Sequence, residues 1–81
     1  MSDDFYLPSY WLEMDEILPE GSTDEPMQVC LEVSDYAEAV ALAAEFRTEE
    51  FVGVPHTARM HTHYHNPQGG ANKPCEVREI P

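Results

Sequence analysis

The chain has 81 residues, enough for one hydrophobic core but not two, and its sixteen acids against four bases give a formal net charge of -12. Residues 1–50 hold fourteen of the acids and a single base, Arg47, so the negative field belongs to one half of the sequence. A field of that sign repels nucleic acid and anionic membrane surfaces, which excludes direct binding to either, and it steers basic surfaces inward in a salt-sensitive way.

The first residues, MSDDFYLPSYW, carry no basic region and no long apolar run. They predict neither a secretory signal nor a membrane span, so a cytoplasmic location is expected. In that reducing setting Cys30 and Cys75 are expected as small core residues rather than a disulfide. Residues 1–8 read as an N-terminal arm, and residues 9–81 as one α+β domain.

From Ser9 the apolar residues Tyr10, Trp11, Met14, Ile17 and Leu18 recur at helical spacing. Ser9 can cap the run and Pro19 can end it. A short amphipathic helix is the literal reading. The competing reading places Tyr10, Leu12 and Met14 on one face of a strand, with PEGSTDEP as a hairpin loop.

Residues 27–33 alternate cleanly, with Met27, Val29, Leu31 and Val33 on one side and Gln28, Cys30 and Glu32 on the other, which predicts a half-buried strand. Asp35 and Glu38 have the spacing of a capping box, and a helix over roughly 35–48 follows. Its face of Tyr36, Ala39, Val40, Leu42, Ala43 and Phe46 is a core stripe, with alanines that allow close approach to a sheet. Phe51, Val52 and Val54 are expected to plug the core edge, where Gly53 and Pro55 break regular structure.

A strand is expected in HTARMHTHYH, with Ala58, Met60, Thr62 and Tyr64 inward and Thr57, Arg59, His61, His63 and His65 on the other face. NPQGGANKP reads as a long loop and CEVREI as a closing strand. The sum is a small single domain with a three- or four-stranded mixed or antiparallel sheet and one main helix on one face. The order is β-α-β-β after a short N-terminal helix or strand. The strand-helix-strand portion should set its two strands parallel, and the last two strands should pair antiparallel. The second sheet face stays open unless the aromatic N-terminal segment covers it.

Three constellations carry chemistry. His61, His63 and His65 project from one side of a strand at steps of about 6.5 to 7 Å. Two of them can share a metal ion, with a third ligand from His56, Glu32, Cys30 or Glu76, although sheet twist makes an evenly spaced row diverge. Cys75 and His63 are candidate neighbours across the last hairpin. No phosphate loop, nucleophile elbow or Cys-x-x-Cys is present, so no enzyme activity and no cofactor are expected.

The strongest lead is the acidic and aromatic N-terminal third, comprising Asp3, Asp4, Tyr6, Tyr10, Trp11, Glu13, Asp15, Glu16, Glu20, Asp24 and Glu25. Carboxylates beside aromatics suit arginine and lysine, and a row of carboxylates can imitate a phosphate track. The expected partner is a larger protein or nucleoprotein complex whose basic, nucleic-acid-binding surface the chain would block. The chain is similar in kind, though in no residue motif, to small acidic proteins of phages and mobile elements, inhibitors of CRISPR–Cas complexes among them. A histidine-cluster metal module and a homodimer or accessory subunit are the alternatives.

Overall fold

The computed structural model describes residues 6–65 and 73–81. Its elements are β1 (Leu7–Glu16), β2 (Gln28–Val33), α1 (Tyr36–Thr48), β3 (His56–His65) and β4 (Glu76–Glu79). The strands form one antiparallel sheet in the order β2-β1-β3-β4, with α1 packed on one face, which is the α+β class expected. β2 and β3 do run parallel, as a strand-helix-strand unit requires, but they are not neighbours, because β1 lies between them and opposes both. Asp3, Asp4 and most of the loop NPQGGANKP lie outside the described residues.

The segment after Ser9 corrects the literal helical reading, since it is the central strand of the sheet. Leu12 and Met14 are fully buried beneath the helix, whereas Ile17, a core residue in the helical reading, is 53% exposed. Burial therefore follows a period of two. Both edges of β1 are paired across Tyr10–Asp15, to β2 on one side and β3 on the other. A helix there would leave two strands without the partner that joins them, and this tertiary demand overrides a short apolar repeat that fits either period.

β1 also begins inside the segment read as an arm, for Leu7 pairs with His65 and Pro8 with Tyr64. Pairing with β2 stops at Tyr10, so Pro8 sits where one side of the strand is already unpaired and a missing N–H is tolerated. The hairpin into β2 is closed by Glu16. Its N–H donates to the Met27 carbonyl (2.8 Å) and its Oε1 accepts from the Met27 N–H (3.0 Å).

The Asp35 cap forms as spaced, but the return bond of Glu38 goes to the residue before the cap and not to Asp35 itself. Asp35 Oδ1 accepts from the Glu38 N–H (2.8 Å) and Glu38 Oε1 accepts from the Ser34 N–H (2.6 Å), a cap contributing about 1 kcal/mol. Ala39 and Ala43 are fully buried and bring the helix close to the sheet, while Val40 of the expected stripe is exposed. Phe51 plugs the core edge, and Gly53 turns the chain there with a φ of 70° that favours glycine. Val52 of the expected plug is exposed. The core is completed by Val33, Ala58, Met60 and Ile80.

Candidate functional site

The helix covers one sheet face, and the odd-numbered residues of β1 and β3 lie on the other. Trp11 sits at the middle of this open face, between Glu32 of β2 and His61 of β3, with Val77 of β4 beyond. An uncovered face is stable here because the side chains on it are mostly polar or charged. The cysteines are a correction. Both were expected in the core, and both are exposed, because strand alternation places Cys30 on the face opposite Val33, the buried residue of β2, and Cys75 in step with the exposed Val77.

Glu13 is the hub of the face. Its Oε1 accepts from Arg59 Nε (2.9 Å) and its Oε2 lies 3.2 Å from His61 Nδ1, while Arg59 Nη2 reaches Asp15 Oδ2 at 3.0 Å. Burial alone would lower the arginine's pKa, but the hydrogen bonds and charges of Glu13 and Asp15 outweigh it and hold the guanidinium above its ordinary value. Glu13, Asp15, Gln28, Cys30 and Arg59 line a shallow depression of about 210 Å³. That is below the size of ordinary small-molecule pockets, about 300 to 1,000 Å³.

The histidine row splits. His61 and His63 stack with ring centroids 4.4 Å apart and planes 12° from parallel. His65 turns away to Ser9, whose Oγ is 3.1 Å from His65 Nε2 and also accepts from Trp11 Nε1. The pair gains Cys75 instead, with Sγ 3.2 Å from His63 Nδ1, and the ligand atoms of His61, His63 and Cys75 lie within 4.8 Å of one another.

None of the four expected third ligands joins this group. His56 is at the other end of β3, held by Arg47 and the Val54 carbonyl, and Glu76 bonds the Tyr64 hydroxyl. Glu32 and Cys30 lie on β2, beyond β1. The adjacency of Cys75 and His63 was legible in the sequence, but its meaning as a ligand pair was not drawn from it. The missing step was the β3–β4 register, in which Val77 faces His61 and a residue two earlier faces His63. The Tyr64–Glu76 bond, with some burial, raises the tyrosine's pKa.

The expected acidic and aromatic surface is redistributed. Tyr10 packs against the core on the helix face, and Tyr6 meets Tyr64 edge to face. Trp11, Glu13 and Asp15 share the open face, and Glu16 closes the hairpin. Glu20, Asp24 and Glu25 are exposed in the loop joining β1 to β2.

That loop shares its end of the molecule with the C-terminus of α1. Ile17 N–H donates to the Pro55 carbonyl, Glu16 pairs with His56, and Arg47 Nε donates to His56. The exposed Glu49 and Glu50 therefore stand at the same end. The four basic side chains are committed inside the molecule. Arg59 holds Glu13 and Asp15, Arg47 donates to the Ile80 and Pro81 carbonyls, Lys73 lies over the Tyr64 ring and Arg78 over the Tyr36 ring.

Among the described residues no helix is long and apolar enough to cross a membrane. No protein-family model matches the chain, and neither the curated proteins nor the solved structures give a significant match.

Proposed function

We propose that this chain is a non-enzymatic binding protein whose acidic end docks on a basic, nucleic-acid-binding surface of a larger protein or nucleoprotein complex and blocks it. One observation carries the reading. Glu20, Asp24, Glu25, Glu49 and Glu50 are exposed at one end of the molecule, and among the described residues the only arginine or lysine ion pairs are those of Arg59 with Glu13 and Asp15. Carboxylates left without internal partners keep their full field for an approaching cation, and rim charges of this kind set the association rate and its salt dependence.

The aromatic component is smaller than the sequence suggested. Tyr10 is core, and Trp11 lies on the open face away from the loop acids, so charge rather than cation–π stacking dominates at the acidic end. Occupying a groove built for phosphates requires no chemistry from this chain, which accords with the lack of a catalytic signature.

The test is affinity capture from a host lysate with wild type and with a variant carrying Glu20→Lys, Asp24→Lys, Glu25→Lys and Glu49→Lys. Wild type should retain nucleic-acid-binding proteins at low salt, release them as salt rises or when DNA or RNA is added, and lose them in the variant. Recovery of the same proteins by both forms, or capture indifferent to salt, would overturn the reading.

A further inference from the structure

We infer that His61, His63 and Cys75 form a binding site for a zinc-class divalent cation, with Glu13 as the group that orients His61. His61 and His63 come from β3 and Cys75 is the residue leading into β4, its antiparallel neighbour, so the sheet register brings the three together. Sγ of Cys75 is already 3.2 Å from His63 Nδ1, and the whole set of ligand atoms spans 4.8 Å.

Zinc takes nitrogen at about 2.0 to 2.1 Å and thiolate sulfur at about 2.3 Å, so tetrahedral ligand atoms sit about 3.3 to 3.6 Å apart. One edge of the triangle is therefore near its final length, and the longest must close by about 1 Å. Side-chain rotation can supply this, because Cys75 is exposed and both histidines are only half-buried. The stack keeps both imidazoles on one side of the sheet, and because a ring nitrogen's lone pair lies in the ring plane, one ring rotates out of the stack for a single ion to meet both.

The donor set selects the metal. One thiolate with two imidazoles suits zinc and its spectroscopic substitute cobalt, and does not suit magnesium or calcium, which take oxygen. Glu13 Oε2 lies 3.2 Å from His61 Nδ1, so the carboxylate can accept that ring's N–H and leave Nε2 as the ligand. This is the carboxylate–histidine–metal relay found behind many metal-bound imidazoles. On binding, the Cys75 thiol releases its proton to solvent as the metal–sulfur bond forms, and the fourth position stays open to water or to a donor from a partner.

The experiment is a titration of the full, untagged, reduced chain with cobalt, followed by zinc competition. One equivalent of cobalt should produce a thiolate-to-cobalt charge-transfer band in the near ultraviolet, and zinc should abolish it. Cys75→Ser should remove the band, and His61→Gln and His63→Gln should each weaken binding strongly. Glu13→Gln should weaken it by about 10- to 100-fold, and Cys30→Ser should leave it unchanged. Circular dichroism of the metal-free variants checks that each keeps the fold. Absence of the band in wild type, its survival in folded Cys75→Ser, or its loss in Cys30→Ser would overturn the assignment.

Discussion

Leu12 and Ile17 separate the two ways of folding the N-terminal segment. Leu12 is fully buried between the sheet and α1, and Ile17 is 53% exposed just past the end of β1. Leu12→Ala removes buried carbons worth about 2.4 kcal/mol in transfer alone, at about 0.8 kcal/mol each. The cavity left behind brings the expected loss to about 3 to 4 kcal/mol.

A domain of this length holds about 4 to 12 kcal/mol in total, so the change consumes a large share and should lower the melting temperature by 12 °C or more, at about 4 to 8 °C per kcal/mol. Ile17→Ala strips a side chain that is already half in water and should cost below about 1 kcal/mol. Urea and thermal denaturation followed by circular dichroism measure both. A helix from Ser9 to Leu18 would put Ile17 on the buried stripe. A loss at Ile17 equal to or larger than that at Leu12 would refute the central strand.

Arg59→Gln leaves Glu13 and Asp15 facing each other without their shared cation; with the pair about a third exposed, screening limits the loss to about 1 kcal/mol or less, and denaturation at low and high salt should show it shrinking as salt rises. Tyr64 should ionise above the ordinary tyrosine value of about 10, because Glu76 accepts its proton-bearing hydroxyl. A raised folded pKa means that this contact stabilises fully below the unfolded value and is lost as pH climbs through the folded one. Ultraviolet titration of the phenolates should show one late tyrosine, and Glu76→Gln should bring it back among the others.

Much of the fold was legible because β2, α1 and β3 each satisfy one period unambiguously. MQVCLEV alternates in sequence, although Leu31 of its inward set is exposed on this edge strand, Asp35 and Glu38 mark a helix start, and Ala58, Met60 and Thr62 are all buried as the alternation requires. The segment from Ser9 resisted, because Tyr10 and Met14 fit both a helix face and a strand face, and only the need of β2 and β3 for a shared partner decides between them. The cysteines were misplaced for a different reason. The expectation of a reducing setting argued for burial, yet both residues carry the parity of the open face, and Cys75 leads into β4, which is exposed on both faces. The site was legible in part. Three histidines two apart and the adjacency of Cys75 to His63 are visible in the sequence, but that His61 joins this pair while His65 turns to Ser9 depends on side-chain geometry that no local pattern specifies.

The length of β3 separates the two proposed sites. β3 starts at His56, beside the acidic end, and His63 stands seven residues along, about 24 Å away at strand rise. A dication held by His61, His63 and Cys75 therefore lies several residues of strand from Glu20, Asp24 and Glu25, and a screening length of about 8 to 10 Å at ordinary salt leaves their field nearly intact. Metal loading should not neutralise the acidic end, and reversing charge at that end should not empty the metal site. The coupling open to them is mechanical, through β1. Glu13 faces His61 while its strand continues to Glu16, where the acidic loop begins, so β1 is the element that joins the two sites.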